Sequence, residues 1–314
     1  CFYLHPIFYL YRIMNKSFSM GGKGMRIQSL SVCVPNKGCV NNCKFCVSHM
    51  RNDDYKNMMD ENLPFYDLYE KDYIRRLEFA RDNGCNTVML TGNAEPQQNR
   101  AFLQRFGTMN SNLSKPFRWI EMQTTGVMID EPYLRFLRNH VGVSTLSLSV
   151  SSFDNEQNRD YNGTSLKNKV DLIEFCNSVK KYDFNLRISI NLTDAFNDWS
   201  AARIFKYCKE VFNADQITFR VLYRSGSDTA QDRWIAEHKA KDELIDEIRN
   251  YILNKGRKLE KLEFGAIKWS VDEMSTVLDE DCMSEEAKES VKYLILRPNC
   301  KLYSKWDDKG SLVF

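Results

Sequence analysis

The sequence predicts an α/β fold in which a parallel sheet curls around a polar lumen and is followed by a C-terminal α+β appendage. From Met25 onward, short β-branched runs alternate with amphipathic helical stretches, which is the pattern of repeated β–α units. In addition, the stretches 145–151, 186–191 and 216–223 each alternate apolar with polar residues. Strands that helices cover on both faces read as continuously apolar, so three successive strands with a polar face indicate a curled sheet with a wet interior.

An antiparallel sheet with one face in water would also produce alternating strands. The sequence, however, places a predicted helix between each pair of strands, whereas antiparallel neighbours need only short hairpin connections. Parallel β–α units are therefore the favoured arrangement, and the antiparallel sheet is kept as the alternative.

The first three β–α units are each predicted from a strand pattern followed by a helix pattern. A strand at 26–34 runs directly into the loop at 35–46, and a polar connection then leads to a helix at 66–83 that ends at Gly84. Further along the chain we predict a strand at 87–91, a helix at 99–109, a strand at 118–124 and a helix at 131–140.

The last three strands show the clearest alternation. In the strand at 145–151, leucines and a valine point to one face of the sheet, and Ser147, Ser149 and Ser151 point to the other. The strands at 186–191 and 216–223 repeat this pattern. The helices that separate and follow these strands are predicted at 166–182, 199–212 and 229–254.

After Gly256 the β–α alternation ends. The remaining chain predicts short strands at 258–268 and 292–306, a turn at Pro298-Asn299, and a loop or short helix in the acidic stretch 279–289. We therefore divide the chain into three parts: a poorly ordered extension at 1–24, a core at 25–256, and an appendage at 257–314 that covers the open side of the barrel.

The extension at 1–24 is rich in aromatic and aliphatic residues, but we do not expect it to cross a membrane. Pro6 and Arg12 interrupt its apolar run, which falls short of the roughly 18 residues that a span requires. The sequence begins with Cys rather than Met, which indicates an upstream extension before a start at Met14, Met20 or Met25.

Composition indicates an ordinary soluble protein of the cytoplasm. Hydrophobic residues make up 43% of the chain and charged residues 27%. The net charge is only +2, which argues against a non-specific nucleic-acid binder. Ten cysteines in 314 residues are too few for a disulfide scaffold, and no secretory signal is evident, so a reducing compartment is expected.

Three closely spaced cysteines, Cys39, Cys43 and Cys46, follow the first predicted strand. Thiolates this close together can all reach one soft metal centre from a single loop. Structural zinc takes four protein ligands, whereas a 4Fe-4S cluster held by three cysteines leaves one iron open for a small molecule. The loop also lies at the carboxyl end of a strand, where barrels of β–α units carry their chemistry.

This loop, with Phe45 just before the third cysteine, resembles the cluster loop of the radical S-adenosylmethionine (SAM) superfamily. After the second predicted strand, Gly92-Asn93-Ala94-Glu95-Pro96 is similar to the Gly-Gly-Glu-Pro-like segment that binds the SAM amino group in that family. Asn93 and Ala94 replace glycines of that segment, so the backbone contact differs in detail. The resemblance covers about 25–223 and implies a partial (β/α)6 TIM-like barrel.

The resemblance further implies an enzyme with two cofactors, a 4Fe-4S cluster and SAM. The cluster would be held by Cys39, Cys43 and Cys46, and its open iron would bind the amino and carboxylate groups of SAM. An external flavodoxin or ferredoxin would reduce the cluster, and a 5′-deoxyadenosyl radical would then take a hydrogen atom from the substrate. That substrate is left open among a small molecule, a nucleotide or RNA base, and a protein residue.

Polar residues at the ends of the predicted strands are the candidate SAM contacts. Arg187 or Arg220 could pair with the SAM carboxylate or with an anionic substrate through two parallel hydrogen bonds. For each such residue, the alternative interpretation is a buried polar side chain whose hydrogen bonds are all made within the protein. The predicted cofactor-binding residues are Phe45, Gly92, Asn93, Ala94, Glu95, Gln123, Ser149, Ser151, Asn191 and Arg220.

Two alternatives to this interpretation follow from other residues. Cys33 could complete a closed four-thiolate zinc or iron site, although it lies within a predicted strand and six residues before Cys39. Cys282 and Cys300 are fewer than an auxiliary cluster generally needs and are expected to be buried free thiols, with a meeting of the two across the appendage kept as the alternative. As a different class of function, the thiolates could hold zinc or an iron–sulfur group structurally in a binding protein whose basic stretch 255–261 contacts RNA or a protein partner.

Overall fold

The structure is a computed structural model of the 314-residue chain, and it describes residues 26–51, 53–61, 68–261, 266–280 and 290–314. Several predictions fall outside the described residues: the extension at 1–24, Met25, the beginning of the helix at 66–83, and most of the acidic stretch 279–289, including Cys282.

The described residues form eleven strands, which are numbered in chain order. They are β1 (Arg26–Cys33), β2 (Thr87–Thr91), β3 (Trp119–Thr124), β4 (Thr145–Val150), β5 (Asn185–Asn191), β6 (Gln216–Arg220), β7 (Arg257–Lys261), β8 (Ile267–Val271), β9 (Met274–Asp279), β10 (Ser290–Leu296) and β11 (Leu302–Tyr303).

Ten α-helices are formed by the same described residues. They are α1 (Val47–Met50), α2 (Asp53–Asp60), α3 (Glu70–Asp82), α4 (Arg100–Ser111), α5 (Glu131–Phe136), α6 (Asn155–Tyr161), α7 (Leu172–Lys181), α8 (Ala201–Glu210), α9 (Ala230–His238) and α10 (Asp242–Lys255). One π-turn, Leu137–Val141, continues α5. Among the residues described, no helix combines the length and the apolar character that crossing a membrane requires.

All eleven strands belong to one sheet, in the order β11-β10-β1-β2-β3-β4-β5-β6-β9-β8-β7. From β10 through β9 every neighbouring pair is parallel, and β11, β8 and β7 add antiparallel strands at the two edges. The six strands of the predicted β–α units are consecutive in the middle of this sheet. The predicted α/β fold with a parallel sheet is confirmed, and the antiparallel alternative is wrong for these strands.

The two faces of the central strands differ as their alternation predicts. On β4, Leu146, Leu148 and Val150 are fully buried in the large core that the sheet forms with its helices. Ser147, on the opposite face of the same strand, is also buried at 2% exposure. The polar face is therefore an enclosed interior, because a face open to bulk water would leave such side chains exposed.

Near the amino ends of the strands, charged side chains fill this interior. Arg187 of β5 forms an ion pair with Glu121 of β3. Its Nε and Nη2 atoms donate to Oε1 of Gln216 on β6, over 2.8 and 2.6 Å. The suggestion that Arg187 pairs with a SAM carboxylate is therefore not supported, since its guanidinium is already engaged by these two side chains.

The single helix predicted at 229–254 is instead two helices, α9 and α10. Lys239 and Lys241 have extended backbones with ψ near 150°. Lys239 forms an antiparallel bridge with Thr193, and the Ala240 N–H donates to the Leu192 carbonyl at 2.9 Å. The periodicity of the sequence continues across 239–241, but these contacts with the end of β5 interrupt the helix.

Sequence reasoning also missed three short helices, α1, α2 and α6. The first two lie in what was predicted to be a polar connection after the cysteines. Helix α6 begins after Asp154, whose carboxylate accepts from the Gln157 N–H at 2.8 Å. An aspartate followed by helix-forming residues is an N-cap signal, so this helix could have been recognised from the sequence.

The C-terminal residues extend the sheet on both sides. Strand β9 pairs in parallel with β6, and β10 pairs in parallel with β1. Where one strand was predicted at 258–268, the structure has β7 and β8. The turn predicted at Pro298-Asn299 is confirmed, and it precedes β11. The two edges of the sheet therefore both come from the residues after Gly256.

Phe205 provides a test of how the outer layer packs on this sheet. It is fully buried on α8, with its ring centroid 4.9 Å from that of Tyr251 on α10 and 5.3 Å from that of Phe219 on β6. Replacing Phe205 with Ala should lower the free energy of unfolding by about 3–5 kcal/mol because a cavity is left behind.

Chemical denaturation measures this loss, with Lys206→Ala as the control. Lys206 is the next residue of α8, and its side chain is 71% exposed. This control should lower the free energy of unfolding by no more than about 0.5 kcal/mol. Equal effects of the two substitutions would contradict the packing described.

Candidate active site

A cavity of about 290 Å³ lies at the carboxyl ends of the central strands. All predicted site residues except Ser151 line it, together with Thr124, Thr125 and the segment Val221-Leu222-Tyr223 that follows β6. The carboxyl ends of parallel strands meet at one edge of a sheet, which explains how residues distant in sequence converge here. The predicted residues that line this cavity are Cys39, Cys43, Phe45, Cys46, Gly92, Asn93, Ala94, Glu95, Gln123, Ser149, Asn191 and Arg220.

The three thiols of Cys39, Cys43 and Cys46 face this cavity from one loop. Burial raises the pKa of each thiol. For Cys43, the charges of Cys46, Glu95 and Cys39 raise the pKa further, which reflects how near to one another these groups lie. Bringing three sulfur atoms together out of water is unfavourable for the thiolate form unless positive charge is supplied.

The donor set fits an iron–sulfur cluster with an open corner. Three sulfur ligands face the cavity, and a cluster distributes its thiolates over several irons. In the described part of the chain, no three His, Cys, Asp or Glu side chains are close enough to share one metal ion. Cys33 is fully buried in a separate cluster with residues such as Tyr55 and Ile295, and burial raises its pKa to about 12. A closed site completed by Cys33 is therefore not supported.

Asn41, between the first two cysteines, anchors the loop to the barrel. It is buried at 4% exposure. Its Nδ2 donates to Glu95 Oε1 at 3.1 Å and to Thr125 Oγ1 at 2.8 Å, and its Oδ1 accepts from Thr164 Oγ1 at 2.9 Å. One buried amide thus joins the cysteine loop to the segments that follow β2, β3 and α6.

Glu95 lies at the centre of this network. Its carboxylate accepts from Thr124 Oγ1 and Gln97 Nε2, both at 2.7 Å, and from the N–H and Oγ1 of Thr125 at 3.1 and 2.8 Å. The side chain is buried at 7% exposure. Its acceptor capacity is used within the protein, so this carboxylate positions the loops around the cavity.

Further hydrogen bonds attach the backbone of the cysteine loop. The Val40 N–H donates to Gln98 Oε1 at 2.9 Å, and Gln98 Nε2 donates to the Gly38 carbonyl at 2.9 Å. The Lys44 N–H donates to the Tyr161 carbonyl at 2.9 Å, and the Asn42 N–H donates to the Gly163 carbonyl at 3.3 Å. The loop is therefore held on both of its sides.

Phe45 of the cysteine loop packs against an aromatic cluster that is carried mainly by α9. The ring centroids of Phe45 and Trp234 are 5.9 Å apart, and Trp234 stacks on His238 at 4.6 Å. His238 Nδ1 lies 2.9 Å from Asp194 Oδ2, and Tyr161 donates to the other carboxylate oxygen at 2.8 Å. Helix α9 thereby packs against the turn that contains Cys46.

The polar wall of the cavity is formed by β4, β5 and β6. Asn191 Nδ2 donates to Ser149 Oγ at 3.0 Å and to Ser151 Oγ at 3.1 Å. Ser151 is fully buried behind Asn191, and so it supports the wall without lining the cavity. Arg220 uses its Nε to donate to Ser189 Oγ at 2.7 Å.

Directly after β2, the turn at Asn93 leaves a buried acceptor without a partner. Asn93 Oδ1 is buried, and no described residue donates a hydrogen bond to it. Gly92, which precedes it, has φ of +147° and lies against the backbone of Val34 at the end of β1. A buried orphan acceptor beside the three thiols matches what an ammonium group needs.

Sequence reasoning identified Glu95 but missed several of its neighbours that hold the site together. Asn41 lies within the cysteine motif and could have been suspected, since asparagine is a common loop-anchoring residue. Gln98 and Thr164 carry no such signal, because their partners are 58 and 123 residues away. Trp234 falls in a helix pattern that any packed aromatic residue would fit.

The central parallel strands form β–α units, and a loop with three thiols lies at their carboxyl ends. This is the arrangement of a barrel-type protein that holds an iron–sulfur cluster. The model of the Radical SAM superfamily matches residues 33–208, which is more than half of the chain. The chain therefore belongs to this superfamily, and the expected enzyme class and its two cofactors, a 4Fe-4S cluster and SAM, are confirmed. A protein that only binds RNA or a partner is not favoured.

Similar proteins are found both among curated proteins and among solved structures. A 7-carboxy-7-deazaguanine synthase of Clostridium acetobutylicum is 25% identical over 187 residues, covering 60% of this chain and 76% of the relative. SuiB of Streptococcus suis, solved with its precursor peptide SuiA, has a TM-score of 0.56 at 15% identity, covering 96% of this chain and 65% of SuiB.

HemN of Escherichia coli, a coproporphyrinogen III oxidase described as a radical SAM enzyme, has a TM-score of 0.52 at 18% identity. The match covers 74% of this chain and 54% of HemN. The chain thus spans between about half and two thirds of these solved proteins. At such identities the solved structures support the fold alone.

Gly163 tests the close contact that holds the cysteine loop. It has φ of +56°, and a Cβ added there would lie 2.2 Å from the Asn42 carbonyl oxygen. Gly163→Ala should displace the loop and lower the iron and sulfide bound per chain after anaerobic reconstitution. Gly84→Ala is the matched control, with φ of +85° and nothing within 4 Å of the added Cβ.

Both alanines share the cost of about 1–2 kcal/mol for a left-handed backbone, so only the clash distinguishes them. Iron and sulfide analysis of the two variants should show a deficit for Gly163→Ala alone. Full cluster content in that variant would show that the contact with Asn42 is not needed.

Glu95→Gln tests whether the carboxylate organises the cavity. The amide places two N–H donors among groups that already donate, so hydrogen bonds are lost in a buried site. The free energy of unfolding should fall by about 1–3 kcal/mol. Thermal and chemical denaturation measure this effect against Glu243→Gln, an exposed position on α10. A fall no larger than that of the control would contradict the central role of Glu95.

Proposed function

We propose that this chain binds a 4Fe-4S cluster through Cys39, Cys43 and Cys46 and SAM on the adjoining wall of the same cavity. The observation that carries the proposal is the convergence of three thiols and an orphan acceptor in one cavity. When both groups are bound, they supply reductive cleavage of SAM to methionine and a 5′-deoxyadenosyl radical that takes a hydrogen atom from the substrate.

The loop after β2 is proposed to receive the ammonium group of SAM. The orphan Oδ1 of Asn93 and the carbonyls of the Gly92–Glu95 turn are acceptors, and an ammonium supplies only donors. The hydrogen bonds of Glu95 fix this turn against β3, so its acceptors are positioned before the ligand arrives. Pre-positioned acceptors lower the cost of ordering on binding.

Arg220 is proposed to receive a carboxylate, either of SAM or of an anionic substrate. Its Nε is held by Ser189, which leaves the fork of terminal nitrogens on the cavity side without a described partner. Ser149 and Asn191 are proposed to contact the ribose hydroxyls, with Gln123 lining the wall nearby. Ser151 would act through Asn191, because it lies behind that side chain.

The packing of α9 on Phe45 and the apolar segment after β6, which lines the cavity, are proposed to keep water away from the radical. Phe45 packs on Trp234, and Leu222 lines the cavity. Exclusion of water prevents side reactions of a reactive intermediate. Specificity for the substrate would then come from the residues after β6, which line the cavity.

The chain also needs an electron donor and a substrate. The donor is proposed to be a flavodoxin or a ferredoxin, and the location to be the cytoplasm, where thiolates remain reduced. A small molecule, a nucleotide or RNA base, and a protein residue are all proposed substrate classes. The division into a core at 25–256 and an appendage that covers the open side likewise remains a prediction.

Loss of a cluster ligand gives the direct test. Wild-type protein, reconstituted without oxygen and reduced with dithionite, should convert SAM to 5′-deoxyadenosine, measured by liquid chromatography with mass spectrometry. Cys43→Ala should abolish the product. Cys85→Ala should retain it, since Cys85 is a buried thiol just before the amino end of β2, away from the cavity.

A wild-type protein that carries a full cluster and still leaves SAM intact would contradict the proposal. If cleavage is found, a survey of products formed from cell extracts under the same conditions distinguishes the three substrate classes by mass.

A further inference from the structure

A second buried cluster lies between β1, α2 and the C-terminal strands. It contains Cys33, Tyr55, Met58, Met59, Tyr293, Ile295 and Tyr303, with Trp306 packed against it. It is joined to the cysteine loop through α1, which begins directly after Cys46. Ser48 of α1 lies within hydrogen-bond distance of Tyr55, with 3.1 Å between their hydroxyl oxygens.

Arg297 lies within this second cluster and is fully buried. Its Nη2 donates to the carbonyls of Lys305 at 2.8 Å and Trp306 at 2.5 Å, and its guanidinium carbon lies 4.2 Å from the centre of the Tyr303 ring. Its Nη1 contacts the sulfur of Met58, and its Nε has no partner among the described residues.

No aspartate or glutamate of the described residues forms an ion pair with Arg297. Burial lowers the pKa of Arg297, the charge of Asp307 acts in the opposite direction, and Asp307 is itself paired with Arg51. A buried charge without an opposite charge is costly, and carbonyls and an aromatic ring offset that cost only in part. The guanidinium therefore lacks a counter-charge within the described protein.

The position of Arg297 relates this charge to the cysteine loop. Strands β10 and β1 are parallel and in register from Arg26↔Ser290 to Val32↔Leu296, so Arg297 follows β10 beside Cys33 at the end of β1. The loop that carries the three cluster cysteines begins directly after Cys33. Arg297 is thus held at the same edge of the sheet as the proposed cluster.

We propose that the buried guanidinium of Arg297 is a fixed positive charge that favours the reduced form of the iron–sulfur cluster. The inference rests on the proposed function, because it needs a cluster on the three cysteines. Reduction adds one negative charge to a group already surrounded by thiolates. A positive charge held at the same edge of the sheet, acting through a protein interior of low dielectric constant, lowers the energy of that added charge.

Met58 allows the charge to be neutralised without removing Arg297. Because its sulfur contacts Nη1, Met58→Glu should place a carboxylate on the guanidinium, whereas Met58→Gln gives the same shape without charge. Potentiometric titration of anaerobic, reconstituted protein, followed by electron paramagnetic resonance, gives the ratio of reduced to oxidised cluster. At a fixed potential, Met58→Glu should lower that ratio by about threefold to tenfold, tenfold being about 59 mV for one electron.

Two substitutions of Arg297 provide an independent pair. Arg297→Met should lower the reduced fraction as Met58→Glu does, and Arg297→Lys should restore it towards the wild-type value. If Arg297 only supported the fold, the reduced fraction of the cluster would not depend on whether residue 297 carries a positive charge. If either pair fails to hold a cluster, the other pair gives the comparison.

The outcomes separate the two proposals. Equal potentials in variants with full cluster content would overturn the role of Arg297 and leave the proposed function intact. A wild-type protein without iron and sulfide would instead contradict the proposed function itself.

Discussion

One buried carboxylate, that of Glu95, organises the whole site. Five donor groups point at it, from Asn41, Gln97, Thr124 and Thr125. Each of these donors comes from a segment that borders the cavity, and the carboxylate must be satisfied because it is out of water. The cysteine loop, the turn after β2 and the end of β3 can therefore adopt this arrangement only together.

The parallel sheet provides the frame for this arrangement. Its central strands end at one edge, and each one delivers a different part of the cavity: thiols after β1, the acceptor turn after β2, and polar side chains on β4 to β6. The polar inner faces that make these strands alternate are filled near their amino ends by Arg187 and Glu121. Charged side chains thus occupy the interior near the amino ends, and the cavity lies at the carboxyl ends of the strands.

Local features of the fold and site could be predicted from the sequence. The spacing of the cysteines, the turn after β2 and the alternation of β4 are each contained within a few residues, and the structure places them as predicted. The pairing of β10 with β1 and the bond from Thr164 to Asn41 could not be predicted, because each depends on residues distant in sequence. The break between α9 and α10 belongs to the same group, since tertiary contacts with Leu192 and Thr193 outweigh a helical pattern.

The parallel pairing of β10 with β1 has a consequence for biosynthesis. Strand β1 precedes the cysteine loop, yet one of its two hydrogen-bonding edges is satisfied only by a strand translated near the end of the described chain. Until that strand leaves the ribosome, the nascent β1 presents an open edge, and such edges recruit other chains. Completing that edge of β1 therefore requires nearly all of the described chain to have been translated.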